Sequence, residues 1–449
     1  MSQTGTETPA AAGLSATEDL YGRGKRRIPG GTQLLSKRAE LFAPGQWPAY
    51  YSRAAGAEVW DLDDRKYLDM SMMGIGSCLL GYADPDVDEA VRDAIARGVM
   101  STLNSPDEVE LANLLCELHP WADMVRFGRC GGEAMAIAVR IARAHTRRDK
   151  IAFCGYHGWH DWYLAANLGE ETSLDGHLIP GLEPAGVPRG LAGTALPFHY
   201  NKIDELRAIM AKNRGEIAAI VMEPVREHDP ERGFLETVRE IATESGAVLI
   251  FDEVTAGFRM NSGGIHLRFG VSPDIAVFAK GMSNGYAMAA VIGRSAVMES
   301  AQRSFISSTY WTERIGPAAA LATIRKHQQR NVGELLIHTG DAVKGIWRRA
   351  AEASGLRVHV SGIAPLGHLG FDYPNGQAMA TLYTQLMLER GFLATRGFYA
   401  SYAHQPEHLA LFESAVTEAF AILQKSSANG EVEKHLKGPV AHTGFQRLT

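Results

Sequence analysis

A lysine stands where a charged side chain is unexpected, at the end of an apolar run in the segment DIAVFAKGMSNGYAMAAVIG (residues 274–293). This residue is Lys280, and upstream of it Asp252 closes a second apolar run, VLIFD. Alone, the lysine could extend its charge into water and the acid could cap the next turn. Together they supply what a cofactor with a pyridinium nitrogen and an aldehyde needs. The carboxylate serves the nitrogen, and the amine forms a Schiff base with the aldehyde.

Such a cofactor, pyridoxal 5′-phosphate, also needs a site for its phosphate and a surface for its ring. Gly131 and Gly132 open an apolar helical pattern in CGGEAMAIAVRIARAH. Amides at a helix N-terminus attract an anion, although a pair of glycines taken alone is more often a plain turn. Tyr156 follows a strand end and can lie on one face of the ring, and Val254 can pack against the other. The sequence therefore predicts a pyridoxal phosphate site.

The turn GYHGWHD offers a competing interpretation, because His157 and His160 could belong to a metal site. Neither histidine has a carboxylate or a cysteine pair nearby at the spacing that zinc ligands require. The sequence therefore predicts no metal.

The bulk properties are those of an ordinary enzyme of two or three domains. The 449 residues carry a formal net charge of −6, which does not suggest a surface for nucleic acid or anionic membrane. No apolar run is long enough to cross a bilayer, and the N-terminus lacks the features of a secretion signal. Four scattered cysteines without CxxC spacing fit reduced thiols. We expect a cytoplasmic protein that binds neither nucleic acid nor membrane.

The elements that must position these residues alternate between helix and strand. Helical patterns cover 107–118, 132–146, 203–213, 235–245 and a stretch near 317–329, with a short N-terminal helix capped at Ser15. Short apolar runs predict strands at 150–154, 217–222, 247–252, 275–279 and 289–293. Such strands, separated by helices, indicate an α/β fold with a mainly parallel sheet covered on both faces. Ligands bind beyond the carboxyl ends of such strands, where Asp252, Lys280 and His157 fall.

The domain organisation follows from these patterns. We expect a flexible arm at 1–14, an N-terminal segment at 15–65 that contributes to a small domain, and a large cofactor-binding domain at 66–325. The small α/β domain then covers 326–425, and a polar tail covers 426–449.

At this point the chain resembles a known family, the class III, fold-type I PLP-dependent aminotransferases, and within it the glutamate-1-semialdehyde aminomutase-like branch. The motifs IPGG, EVWDLDDRKYLDM, CGGEAMAIAVRIAR, GYHGWHD, MEPV, FDEVTAGFR and FAKG occur in the family's order over about residues 20–425. The resemblance implies a large domain with a mainly parallel seven-stranded sheet and a smaller α/β domain. It also implies a homodimer with shared active sites.

The resemblance further implies a role for each matching residue. Lys280 would form the internal aldimine and shuttle a proton, Asp252 would bind the pyridine nitrogen, and Gly281 would leave room for the cofactor. The other cofactor contacts implied are Cys130, Gly131, Gly132, Tyr156, His157, Glu223, Val254 and His228, the last near the ring hydroxyl. A threonine of the neighbouring subunit would complete the phosphate site, with Thr312 and Thr309 as candidates.

Four departures separate this chain from the branch it resembles. The phosphate loop usually reads Ser-Gly-Thr-Glu-Ala, whereas here Cys130-Gly131-Gly132-Glu133-Ala134 has lost both hydroxyls. A Ser-Pro-Val-Arg segment after PGG is missing, although Arg38 or Lys37 could replace its arginine. A glycine-rich run after the lysine is replaced by GMSNGYAMAAV, and Arg396 falls where aminomutases place a glutamate. The last three changes favour amino transfer over strict aminomutase activity.

The resemblance thus predicts a transaminase that moves an amino group, from glutamate or another amino acid, to a keto-sugar or other carbonyl acceptor through pyridoxamine phosphate. Arg38, Trp159, Arg396 and Tyr399 are candidate substrate residues. Trp159, Trp162, Trp311, Tyr399 and Tyr402 could form an aromatic pocket, or could be core and dimer contacts. Two alternatives stay open: an intramolecular aminomutase, and a non-catalytic PLP-binding protein.

Overall fold

The computed structural model describes residues 15–169, 172–175, 177, 181–225 and 227–444. The predicted arm at 1–14 lies outside these residues. The α-helices of the described residues, in chain order, are α1 (Ala16–Lys25), α2 (Pro85–Ala96), α3 (Pro106–Leu118), α4 (Gly131–Thr146), α5 (Asp161–Leu164), α6 (Ile203–Lys212), α7 (Phe234–Ser245), α8 (Ser295–Met298), α9 (Ile315–Gln329), α10 (Val332–Ser354), α11 (Gly376–Glu389) and α12 (Pro406–Ala428).

The strands form three sheets. In chain order they are β1 (Tyr51–Ala55), β2 (Glu58–Asp61), β3 (Lys66–Asp69), β4 (Met124–Gly128), β5 (Lys150–Cys154), β6 (Ala195–Pro197), β7 (Ile217–Met222), β8 (Val248–Asp252), β9 (Ile275–Phe278), β10 (Ala289–Gly293), β11 (Val358–Ser361), β12 (Leu366–Phe371), β13 (Phe392–Leu393) and β14 (Gly397–Tyr399).

The central sheet has seven strands in the order β4-β10-β9-β8-β7-β5-β6. The pairs from β9 to β6 are parallel, whereas β10 runs antiparallel to both of its neighbours. The predicted mainly parallel seven-stranded sheet is confirmed. β10 departs from the parallel pattern because the connection from β9 is too short for a crossover, which needs a dozen or more residues.

Two smaller sheets flank this core. One has the order β1-β2-β3-β13, in which β13, from late in the chain, pairs parallel with β3. The other has the order β11-β12-β14 and is antiparallel. A strand from the C-terminal part of the chain therefore completes a sheet that the N-terminal segment begins.

Alternate residues of the central strands enter opposite apolar layers. Val248 and Ile250 pack in the layer that contains α4, while Leu249 and Phe251 pack in the layer of α6 and α7. Because side chains alternate along a strand, Asp252 falls on the same face as α4.

Local capping explains where several helices begin. Ser15 accepts a hydrogen bond from the Glu18 amide in a capping box at α1, as the sequence predicted. Asp84 and Ser105 cap α2 and α3, each followed by a proline at the first helical position. Along the described ranges, every helix is too short or too polar to cross a lipid bilayer.

Candidate active site

A buried acid–histidine pair lies at the carboxyl end of β8. Oδ2 of Asp252 is 2.8 Å from Nδ1 of His157, and Nε2 of His157 donates to the carbonyl of Cys154 at 3.0 Å. Both ring nitrogens of His157 face oxygen atoms, so the ring is held between the Cys154 carbonyl and the Asp252 carboxylate. This contact fixes the direction in which the buried carboxylate points.

The turn that follows Asp252 connects this pair to the start of α4 through Val254. The amide of Val254 donates to Oδ1 of Asp252 at 3.0 Å. The side chain of Val254 then packs directly on Gly131, where an added Cβ would lie 2.8 Å from Cγ1 of the valine. The first residue of α4 and the buried carboxylate are therefore joined through one valine.

Lys280 reaches the same turn from the end of β9. Its Nζ donates to Oγ1 of Thr255 at 2.9 Å, and the side chain is only partly buried. The backbone of Lys280 has a φ of 43°, a left-handed conformation that non-glycine residues rarely adopt. Such strain is concentrated at functional sites, where the surrounding structure enforces it.

The N-terminus of α4 fits an anion. Its cap residue, Cys130, makes no side-chain hydrogen bond to the first turn. The N–H groups of the first helical residues can therefore donate to a ligand. The turn at Gly158 approaches so closely that an added Cβ there would lie 3.0 Å from Cα of Gly132. Nδ1 of His160 is buried without a hydrogen-bond partner in the described structure and faces Gly132. Free amides and an unused imidazole nitrogen at a helix N-terminus are suitable ligands for a phosphate.

Cys130 adds little to this anion site. Partial burial and the nearby Glu133 carboxylate raise the pKa of its thiol. The neutral thiol is a weak donor compared with a hydroxyl. A phosphate bound at this helix N-terminus would therefore depend mainly on backbone amides.

Replacing Gly131 by alanine tests the anion site at the N-terminus of α4. The new methyl group would overlap Val254, and we expect cofactor affinity to fall about tenfold, since overpacking of this kind typically costs about 1–3 kcal/mol. A titration of the apoprotein with pyridoxal phosphate, followed by absorbance, measures the change. Gly190→Ala is the matched control, because nothing lies within 4 Å of its added Cβ. Equal cofactor affinities for the two variants would contradict a phosphate site at the N-terminus of α4.

Tyr156 lies in the turn that follows β5, one residue before His157. Its amide donates to Oε2 of Glu223 at 3.2 Å, and its ring meets Tyr163 edge-on at 5.9 Å. Gly155 has a φ of 109°, and an added Cβ there would lie 2.6 Å from Oε2 of Glu223. Glu223 therefore fixes the backbone that presents Tyr156.

The remaining predicted cofactor residues contact residues other than Asp252 in the described part of the chain. His228 is exposed, with Nε2 3.4 Å from Nδ2 of Asn201, and lines a cavity of about 170 Å³ together with Glu223. Thr309 and Thr312 are also exposed, and the Thr312 hydroxyl donates to the Thr309 carbonyl at 3.0 Å. Their 3-10 turn lies beside α4, because the indole of Trp311 donates to Oε1 of Glu133 at 2.9 Å.

The candidate substrate residues do not lie in one pocket. Arg38 packs on Gly30 within the N-terminal segment. Trp159 is 71% exposed and stacks on His160, in a groove that also contains Trp162 and Trp311.

Two further candidates lie on the C-terminal segment. Arg396 is exposed, and its carbonyl accepts a hydrogen bond from Leu369. The ring of Tyr399 lies 5.4 Å from the guanidinium of Arg259. Tyr402 packs against the main core cluster instead.

Two residues that sequence reasoning did not select belong to this region. Thr255 accepts the hydrogen bond of Lys280, and Arg259 donates to the Thr255 carbonyl at 2.7 Å. The signal available was that both residues lie in FDEVTAGFR, the same motif that contains Asp252. A correction also concerns Gly281, which was expected to leave room for the cofactor. The space for a Cβ at Gly281 is taken by the side chain of Leu79.

On the opposite face of the same strand end, Glu253 is fully buried and satisfied. Its carboxylate accepts from the amides of Ile265 and His266 at 3.0 Å and from Nδ1 of His266 at 2.7 Å. The indole of Trp121 donates to the other nitrogen of that ring at 3.0 Å. Both nitrogens of the His266 ring are therefore engaged, and Glu253 anchors the loop that follows the turn Asp252–Thr255.

Glu253→Gln is expected to lower the free energy of unfolding of the apoprotein by about 3 kcal/mol, because the amide cannot accept all three N–H groups. Urea unfolding measures the change, with Glu240→Gln on the exposed face of α7 as the control. A loss no larger than that of the control would contradict the anchoring role.

Comparisons with known proteins agree with this geometry. The family model described as aminotransferase class-III matches residues 42–395. The chain is 31% identical over 425 residues to a 3-aminobutyryl-CoA aminotransferase of Cloacimonas acidaminovorans, covering 92% of this chain and 98% of that protein. It is 32% identical over 437 residues to a glutamate-1-semialdehyde 2,1-aminomutase of Roseiflexus castenholzii, covering 92% and 99%.

A solved structure gives the same result. The PLP internal aldimine form of the FumI protein of Sphingopyxis sp. MTA144 superposes with a TM-score of 0.82, at 26% identity, over 92% of this chain and 97% of that one. The predicted family, fold type and cofactor are confirmed. The chain belongs to the class III aminotransferases, enzymes of fold type I that use pyridoxal phosphate.

Proposed function

We propose that this enzyme transfers an amino group from an amino acid, with glutamate as the first candidate, to a keto-sugar or another ketone or aldehyde. The observation that carries the proposal is the convergence of three groups on the turn Asp252–Thr255. These are the His157 imidazole on Asp252, the first residue of α4 on Val254, and the Lys280 amine on Thr255.

Each residue has a defined task in this proposal. Pyridoxal phosphate, when bound, supplies an electron sink for the pair released at the substrate Cα. Asp252 holds a proton at the pyridine nitrogen, and the amides at the start of α4 hold the phosphate. Lys280 would act as general base at the substrate Cα and then as general acid, moving the same proton to C4′ of the cofactor. Thr255 orients the Lys280 amine before the substrate arrives.

The test is the absorption spectrum of the protein with pyridoxal phosphate, before and after addition of L-glutamate, with an assay for released 2-oxoglutarate. We expect loss of the visible band with stoichiometric 2-oxoglutarate. A band that glutamate and alanine leave unchanged, but that 4,5-diaminovalerate or glutamate-1-semialdehyde alters, would favour the intramolecular aminomutase. That second candidate is supported by the similarity to the Roseiflexus aminomutase. A protein with no band would favour the non-catalytic interpretation.

We also propose that the enzyme is a cytoplasmic homodimer with shared active sites, in which Thr312 or Thr309 completes the phosphate site of the partner. Two chain segments each expose a large apolar side chain, Phe305 at 89% and Leu103 at 80%. The two chain segments are adjacent, since the Arg314 amide donates to the Val99 carbonyl at 3.0 Å. The cytoplasmic location is supported by four free cysteines.

The dimer face can be tested with one charge. Phe305→Asp is expected to raise the dimer dissociation constant about 30-fold or more, as for an interface residue that contributes strongly. Light scattering across a dilution series measures the constant. Leu411→Asp, at an exposed position of α12, should leave it unchanged. If Phe305→Asp dissociates no more readily than this control, the proposed face is wrong.

A further inference from the structure

Arg259 is a buried cation that the proposed chemistry does not use. Its residue is 1% exposed, and burial lowers the pKa of the guanidinium to about 10. Within the described structure its Nη1 atom has no hydrogen-bond partner, and its recorded hydrogen bonds go to backbone carbonyls. A buried charge without a carboxylate partner is costly, so its retention needs an explanation.

The first hydrogen bond of Arg259 leads to Lys280. Nε of Arg259 donates to the Thr255 carbonyl at 2.7 Å, and Oγ1 of the same threonine accepts from the Lys280 amine at 2.9 Å. Because both contacts involve Thr255, the guanidinium restrains the residue that orients the amine. The fixed positive charge also lies two hydrogen bonds from the Lys280 Nζ.

The second hydrogen bond leads to an unusual turn. Nη2 of Arg259 donates to the Gly76 carbonyl at 2.5 Å. Four consecutive residues there are left-handed, with φ of 40°, 63°, 58° and 79° from Met73 to Gly76. The β-branched Ile75 is strained in this conformation. An added Cβ at Gly76 would lie 2.5 Å from Nη2 of Arg259 and 3.0 Å from Cδ2 of Tyr399, so the turn is shaped around the guanidinium.

The chain that leaves this turn packs on the loop that carries Lys280. The side chain of Leu79 fills the space above Gly281, and the Leu80 amide donates to Oδ1 of Asn284 at 2.9 Å. Nδ2 of Asn284 donates to the Gly81 carbonyl at 2.9 Å. Arg259 is thus connected to the Lys280 loop from two sides, through Thr255 and through the segment 76–81.

We propose that Arg259 is a positioning residue for Lys280, which it holds through Thr255 on one side and through the Met73–Gly76 turn on the other. The inference rests on the proposed function, in which Lys280 is the cofactor-binding lysine. It extends that function to a residue that acts on Lys280 through its neighbours.

The experiment compares Arg259→Met with Arg148→Met. Arg148 is the matched control, because it also donates to two backbone carbonyls, of Ile217 and Ser245, but at the opposite edge of the sheet. The first readout is the acetylation rate of Lys280 in the apoprotein, measured by trace labelling and mass spectrometry. The others are the rate at which the visible band forms with pyridoxal phosphate, the kcat and KM of the amino donor, and the Tm.

For Arg259→Met we expect altered Lys280 acetylation, slower band formation and a kcat about 100-fold lower, with donor KM within about twofold, because a misplaced group lowers the rate without weakening binding. Arg148→Met keeps wild-type values for all of these and changes only the Tm. Arg259→Lys, which retains the charge but not the fork, should lie between wild type and Arg259→Met. Gly76→Ala should reproduce the Arg259→Met loss, and the double variant should be no worse than either single change.

Two outcomes would overturn the inference. One is wild-type acetylation of Lys280 and wild-type band formation in Arg259→Met, with only a Tm loss like that of Arg148→Met. The other is full additivity of Gly76→Ala and Arg259→Met, which would show that the two residues act independently. A Lys280→Ala variant that still forms the band would reject the proposed function instead. The acetylation of Lys280 in the apoprotein reports on the Arg259 contacts independently of that result.

Discussion

Lys280→Ala is expected to lose the visible band of bound pyridoxal phosphate and to slow the glutamate half-reaction by about 10⁴-fold, the upper end of what one proton-transfer group contributes. The alanine removes both the amine that attaches to the cofactor and the base that takes the proton from Cα. Folding should be little affected, because the side chain is only partly buried.

The half-reaction is followed by single-turnover absorbance and by released 2-oxoglutarate. Lys150→Ala provides the control, since Lys150 is the first residue of β5 and its amine pairs with Glu216. Added methylamine should restore part of the Lys280→Ala rate, because it supplies the missing base without the side chain. A variant that keeps more than about 1% of the wild-type rate without added amine would assign the proton transfer to another group.

The sequence predicted those parts of the fold that depend on local pattern. β7 and β8 are continuous apolar runs, and α4 has a regular apolar face, so each was predicted within a residue or so of its observed bounds. β4 was not predicted, because each of its first four residues is only partly buried and Arg126 interrupts the apolar pattern. β6 has three residues and ends in Pro197, too little for a period-2 pattern to identify.

The candidate site divides along the same line. Asp252 and Lys280 could be selected because each places a charge at the end of an apolar strand. Thr255 and Arg259 could not, because their importance depends on contacts with Lys280 and with Gly76, which is far away in sequence. Candidate substrate residues such as Arg396 are harder still to select, because nothing local in the sequence indicates what they contact.

Asp252→Asn is expected to lower the rate of the half-reaction about 10²- to 10³-fold, the effect of removing one preorganised electrostatic group. The amide has nearly the same shape as the carboxylate but cannot hold a proton at the pyridine nitrogen. It also changes the contact with His157, whose Nδ1 lies 2.8 Å from Oδ2. The visible band should still form, because Lys280 is intact, but it should shift with the changed charge near the ring.

The loss must be separated from a general loss of stability, since a buried pair with one partner removed costs about 3–5 kcal/mol. Asp274→Asn is the matched control. Asp274 pairs with Arg239 at 2.9 Å and accepts from the Leu249 amide, but it precedes β9 at the opposite end of the sheet from Lys280. Single-turnover rates and Tm are measured for both variants.

Asp252→Asn should lose rate far beyond its loss in Tm, whereas Asp274→Asn should lose only Tm. His157→Phe provides a further comparison, because it leaves Asp252 in place without its partner. If the carboxylate itself is the active group, His157→Phe retains more activity than Asp252→Asn. Equal losses of rate in the two variants would mean that Asp252 and His157 act as one unit, so that the loss of rate cannot be assigned to either residue alone.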